Sequence, residues 1–182
     1  DLEVNSSTSA QIGSGVVIAN GQTRAAAAFS ADGSRAAVIV DFYSSQPFTA
    51  KLAVINMNTG ALVGGSAVPL GPTTVADPVL TPDGTRAVQV TRYTDYTQTG
   101  WPTTVHVTIV DTGTAAVVAS LPAIDGDLGS SAADAPLQFS LDGSRAIVTT
   151  HYDDLSNSTP LSTTRVTVLN TATGAVVGTP AT

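Results

Sequence analysis

The side chains best suited to chemistry in this chain are carboxylates and a few isolated aromatics. Asp125-Gly126-Asp127 with Asp134, joined by Asp153 and Asp154 further along, could supply hard oxygen ligands to Ca²⁺. His151, beside Tyr152, Asp153 and Asp154, could serve as a metal ligand or general base. Asp-x-Asp pairs are common, however, and no full calcium-loop spacing is present. The favoured reading is therefore a solvated acidic rim that keeps a sparsely charged protein soluble. Ca²⁺ is the one cofactor left open. No nucleophile stands in a fixed relation to His151, so no catalytic residue is assigned, and a surface histidine at the end of a strand is the favoured account. His106, alternating with Val105 and Val107, reads as a sheet-face residue.

Tyr96 and Trp101 differ from the other aromatics. They share one segment with Asp95 and have no counterparts elsewhere in the chain, so they read as contacts for a protein or carbohydrate ligand. Tyr43, Tyr93 and Tyr152 occupy one recurring slot and read as packing residues.

These candidates are positioned by a repeat. Asp-Gly-Ser/Thr-Arg-Ala occurs as Asp32-Gly33-Ser34-Arg35-Ala36, Asp83-Gly84-Thr85-Arg86-Ala87 and Asp142-Gly143-Ser144-Arg145-Ala146. About thirty residues after each comes a β-rich run into a polar turn: Val54-Ile55-Asn56-Met57-Asn58-Thr59-Gly60, Thr108-Ile109-Val110-Asp111-Thr112-Gly113 and Val168-Leu169-Asn170-Thr171-Ala172-Thr173-Gly174. The unit reads strand a, Asp-Gly turn, strand b, long loop, strand c, Thr-Gly turn, strand d. Glycine takes positive φ freely and Asp or Asn tolerates it, which suits tight hairpins. Val, Ile and Thr suit the strands, and no long 3.6-residue period predicts a helix. The arginine of each copy is expected to pair with acceptors in the turn or on the adjacent unit.

The expected fold is all-β. It has a half unit over 1–23 and whole units over 24–76, 77–134 and 135–182, together one domain. Because strands alternate in direction, the a–b and c–d turns share one end of each sheet. The long b–c loops (44–50, 94–103, 153–163) and d–a connections (14–23, 66–77, 121–134) share the other, which is the expected working surface. Of the 14 acidic residues, Asp41, Asp77, Asp95, Asp125, Asp127, Asp134, Asp153 and Asp154 are expected in or beside those connections.

At Asp-Gly-Ser/Thr-Arg followed by Val-Ile-Asn-x-x-Thr-Gly, the chain resembles the YVTN family of bacterial β-propeller repeats. Thr81-Pro82-Asp83-Gly84 and Phe29-Ser30-Ala31-Asp32-Gly33 carry that resemblance most closely. It departs after strand b, where Asp41-Phe42-Tyr43, Thr91-Arg92-Tyr93 and Thr150-His151-Tyr152 replace the family's Tyr-Val-Thr-Asn. The resemblance implies propeller blades. Its relatives include scaffolds, surface proteins and lactonase-like enzymes. Three and a half blades leave open faces, since rings have four to eight. Either the chain is a fragment of a longer protein, or two copies complete a ring, or the units form a sandwich or short solenoid.

Composition narrows the partners. A net charge of −7, with 7 scattered basic residues, disfavours nucleic acid and anionic lipid. The apolar runs are far short of the ~20 residues of a spanning helix. Cysteine is absent, which removes disulfides, thiolate chemistry and Cys-ligated zinc. The expectation is a bacterial secreted or cell-surface module that binds protein or glycan without catalysis. A Ca²⁺-assisted hydrolase of the lactonase-like kind is the rival, and a module that assembles with other copies or neighbouring domains is a third reading.

Overall fold

Runs rich in Val, Ile, Thr and small residues form extended strands whose side chains alternate between two faces, and here they build antiparallel sheets throughout. The computed structural model describes residues 4–5, 10–11, 15, 17–18, 23–42, 49–72, 74–75, 78–94, 103–125, 137–154 and 161–179. A short hairpin pairs β1 (Val4–Asn5) with β2 (Ala10–Gln11). The first large sheet holds β3 (Thr23–Phe29), β4 (Arg35–Phe42), β5 (Thr49–Asn56), β6 (Ala61–Leu62) and β7 (Val68–Pro72). The second holds β8 (Thr74–Val75), β9 (Val79–Leu80), β10 (Arg86–Thr94), β11 (Thr103–Asp111) and β12 (Val117–Asp125). The third holds β13 (Leu137–Phe139), β14 (Arg145–Asp154) and β15 (Leu161–Asn170), extended by a bridge from Leu169 to Val176. Among the described residues the one helical segment is a 3₁₀ turn, Val63–Gly65.

The strands extend further than the sequence predicts. The fourth strand of the first sheet was expected at 61–64, with a connection over 66–77. It is instead interrupted after Leu62, because Gly64 (φ 69°) and Gly65 (φ 75°) turn the chain into left-handed backbone. It resumes as β7, which pairs with Thr49–Leu52 of β5. Pro69 and Pro72 lie on this outer strand, where a missing N–H costs least. Thr74–Val75 then joins the second sheet, opposite Thr91 and Arg92. β12 likewise runs to Asp125, through residues expected to be loop, and β14 runs to Asp154, past Tyr152.

The core lies between the sheets. Ala37, Ile39, Leu52 and Val54 of the first pack with Leu80, Ala87 and Val110 of the second. Val88, Val90, Val105, Val107 and Ile109 of the second pack with Leu137, Ala146, Val148 and Leu169 of the third. The middle sheet is thus buried on both faces, and the polar residues that alternate with its valines, Gln89, Thr91 and Thr108, are buried as well. Each fully buried Val or Ile there contributes about 1.5–3 kcal/mol.

Glycines set how closely the sheets approach. A Cβ on Gly84 would lie 2.9 Å from Ser30 Cβ, and one on Gly143 would lie 3.2–3.3 Å from Pro82 and Thr81. The Asp-Gly corners of the second and third sheets therefore each sit on the corner of the sheet before.

Candidate functional site

The two ends of the stack differ in kind, and register decides which end holds what. Arg35 pairs with Asn56, Arg86 with Asp111 and Arg145 with Asn170. Each Asp-Gly corner therefore lies beside the c–d turn of its own sheet. Three equivalent backbone bonds tie them: Met57 N–H to the Ser34 carbonyl (3.0 Å), Thr112 to Thr85 (3.1 Å) and Thr171 to Ser144 (3.2 Å). At the opposite end the b–c strand pairs finish at Phe42 with Thr49, Thr94 with Thr103 and Asp154 with Leu161. The long connections leave from there, away from the corners.

The corners are closed hydrogen-bond systems. In the first, the Ser30 hydroxyl donates to Asp32 Oδ1 (2.6 Å) and accepts from Arg35 N–H (2.9 Å), while Ser34 donates to Asp32 from its N–H and its hydroxyl. Thr81 with Asp83 and Ser140 with Asp142 repeat this arrangement. Gly33, Gly84 and Gly143 take positive φ. The aspartates do not, contrary to a turn with positive φ at both central residues. They are there to accept hydrogen bonds. The Ser30 hydroxyl, followed by Ser34, lowers the Asp32 carboxyl to about 2, and Ser140 with Ser144 lowers Asp142 to about 2. The Thr81 hydroxyl lowers Asp83, against partial desolvation. Carboxylates so committed are weak bases, which makes this end scaffold.

The c–d turns continue the pattern. Burial opposes ionisation of Asp111, but the Thr114 hydroxyl and N–H, the Gly113 N–H and Arg86 together lower it. Arg86 Nη1 meets Asp111 Oδ2 at 2.6 Å. Asn170 caps its turn through the N–H groups of Ala172 and Thr173. The buried Thr112 and Thr171 hydroxyls donate to the Gly84 and Gly143 carbonyls, both at 2.6 Å. Met57 stands at the equivalent place in the first sheet and has no hydroxyl to offer. Arg35 donates from Nε to the Thr112 carbonyl of the next sheet (3.3 Å) and from Nη1 to its own corner. Arg145 bonds its own corner through Ser144.

Of the residues assigned to ligand or metal, Asp95, Tyr96, Trp101, Asp127 and Asp134 lie outside the described residues. Asp125 ends β12 opposite Thr104. Asp153 and Asp154 pair through their backbones with Ser162 and Leu161. All three are in strands, at the connection end of neighbouring sheets. His151 is not a strand end, since β14 continues past it, and its Nδ1 lies 3.1 Å from Thr164 Oγ1. Asp41, expected at the acidic rim, is instead buried in β4, only 3% exposed. Gln89 and Thr91, on the neighbouring sheet, are also buried. Among the described residues no group of three or more His, Asp or Glu is placed to hold a metal ion.

Sequence reasoning missed Ser30, Thr81 and Ser140 as partners of the corner aspartates. The signal was present, a hydroxyl residue two positions before each Asp. No protein-family model matches the chain, and no curated protein matches it at a significant level.

Proposed function

We propose that this chain is a non-enzymatic binding and structural module of the β-propeller repeat kind, in which the corner end is scaffold and the connection end contacts a protein or carbohydrate. The observation that carries this reading is the shared register, which puts the saturated Asp-Gly corners at one end of the sheets and the b–c connections at the other. Repeated units that differ chiefly in their connections are the usual division between framework and recognition. Tandem antiparallel sheets with recurring Asp-Gly corners support the YVTN-type resemblance, and with it the propeller-blade reading and a bacterial secreted or cell-surface setting. Tyr96, Trp101 and Asp95, in the connection between β10 and β11, are the assigned contacts. His151, Asp153 and Asp154 on β14 lead into the next such connection.

The test replaces 95–102 and 155–160, separately and together, with Gly-Ser links of equal length, and screens native and altered chains on an oligosaccharide array. These replacements leave the urea midpoint nearly unchanged, while array binding is lost. Binding that survives both replacements, or collapse of the fold on either, overturns the reading. A rise in melting temperature with Ca²⁺ that D125N and D127N abolish would favour the metal-assisted alternative instead.

A further inference from the structure

We propose that the gap between the second and third sheets, toward its connection end, is a binding site for an oxyanion, held by Arg92 and Arg165 together with the hydroxyls of Thr150 and Thr167. This does not rest on the binding reading above, because the four residues lie within β10, β14 and β15 and not in the connections assigned there.

Register and alternation bring the four together. Val88 and Val90 of β10 pack with Val148 and Leu169 of the third sheet. Arg92, two residues beyond Val90, is on the same face of β10. In the third sheet Val148 is opposite Thr167, and Thr150 is opposite Arg165. Thr150, Thr167 and Arg165 therefore share the face of Val148, which meets the second sheet. Counted from the equivalent Arg86 and Arg145, Arg92 and Thr150 differ in height by one residue. Facing sheets lie about 10 Å apart, so arginines reaching in from opposite sides can grip one small group between them.

The charges in this gap do not balance. Two of the 7 Lys and Arg residues of a chain with net charge −7 face it. Among the described side chains, none that shares this end of the gap is a carboxylate. Both arginines are half-buried, and Arg165 has no hydrogen-bond or ion-pair partner among the described residues. Thr150 and Thr167 are 1% and 2% exposed, and neither hydroxyl has a hydrogen-bond partner among them. A buried hydroxyl left unbonded is destabilising, and two guanidinium groups in a poorly solvated gap repel each other. An oxyanion answers both, because it accepts from the guanidinium forks and from the hydroxyls at once.

The gap between the first and second sheets supplies the contrast. The same slots there hold Asp41, Thr91, His106 and Thr108, with Asp41 of the first sheet in the slot that Arg92 fills in the second. The Thr91 hydroxyl donates to the His106 carbonyl (3.5 Å). One gap is thus supplied with an acid by the chain itself, and the other has two cations and buried donors. A carboxylate on a uronic sugar and a sulfate ion offer the chemistry that the second gap calls for.

The test titrates the full chain by isothermal calorimetry with sodium galacturonate and with sodium sulfate, using galactose and sodium chloride at matched ionic strength as controls. The wild type is expected to bind one or both anions and neither control. Tighter binding of galacturonate marks the acidic sugar as the source of the oxyanion, and tighter binding of sulfate marks the free ion. R92M and R165M each remove a charged donor and should weaken binding about tenfold or more. T150V and T167V keep the volume, remove only the hydroxyl and should weaken binding about 3–10-fold. Their melting temperatures should equal or exceed that of the wild type, so they carry the test should an arginine variant fail to fold. R145M, at the corner end, should bind as the wild type does. A wild type that takes up neither anion overturns the proposal. So do R165M and T150V that bind as tightly as the wild type, or R145M that loses as much affinity as R165M, which would indicate general charge attraction.

Discussion

Gly174 and Gly178 have the same backbone conformation, φ 72°, but different surroundings. A methyl group added at Gly174 would overlap Ala119 Cβ on the second sheet, whereas at Gly178 it meets nothing within 4 Å. The left-handed penalty for alanine, about 1–2 kcal/mol, is common to both sites and cancels between them. What differs is the forced separation of two packed sheets, and overpacking of this kind costs about 1–3 kcal/mol. G174A should therefore be less stable than G178A by that amount, a shift of about 1 M in the urea midpoint for a slope near 2 kcal/mol/M. Equilibrium unfolding by fluorescence and circular dichroism measures both, with G33A, also facing open space, as a second control. The double variant G174A/A119G should recover part of the loss. Removing the Ala119 methyl costs about 0.5–1 kcal/mol in a strand, but it relieves the contact, so the cycle should show a favourable coupling of about 1 kcal/mol or more. Equal losses for G174A and G178A, or zero coupling with Ala119, would refute the stacking of the third sheet on the second.

Other outcomes follow from the corners and turns. T171V should lose about 1–2 kcal/mol, because the Gly143 carbonyl is left without its 2.6 Å donor, seen as a drop of about 2–8 °C in melting temperature. Asp32 and Asp142 are held at about 2 by hydroxyl and N–H donors. Their folded pKa lies below the ordinary carboxyl value, so their contribution is fully present above about pH 4 and is lost as pH falls toward 2. The urea midpoint should fall over that window and fall less in D32N/D142N; a midpoint that rises on acidification would contradict the corner geometry. Arg86 Nη1 pairs with Asp111 at the turn, and R86M should destabilise the chain more than R145M, whose arginine is exposed and bonds its own corner.

The sequence made the hairpin plan readable because Asp-Gly-Ser/Thr-Arg and Asn/Asp-x-x-Thr recur in phase, and turn chemistry is local. The sheet-to-sheet contacts were less legible. Gly64 and Gly178 read as the last residues of fourth strands, and only the approach of a neighbouring turn shows what the first must admit. Ala115 stands where Gly60 and Gly174 stand and takes φ 57°, so a residue-type rule passes over a left-handed position there. The d–a connections drawn over 66–77 and 121–134 begin with strand instead, at Val68–Pro72 and Leu121–Asp125, where an outer strand tolerates the donor that proline lacks. Asp41 reads as rim from its place just before the 44–50 loop, and only the packing of the folded sheets reveals its burial. Tyr96 and Trp101 stand out for having no repeat equivalent, a criterion that marks individuality without fixing geometry.

The central claim is that every Asp-Gly corner lies at one end of a stack of sheets and every b–c connection at the other. Because cysteine is absent, spin labels can be placed without interference, and pulsed electron resonance on A31C/L141C and A31C/T163C measures the claim directly. With sheets about 10 Å apart and strands rising about 3.3 Å per residue, the corner-to-corner distance should be about 20 Å and the corner-to-connection distance about 35 Å. A corner-to-connection distance equal to or shorter than the corner-to-corner distance would contradict the account.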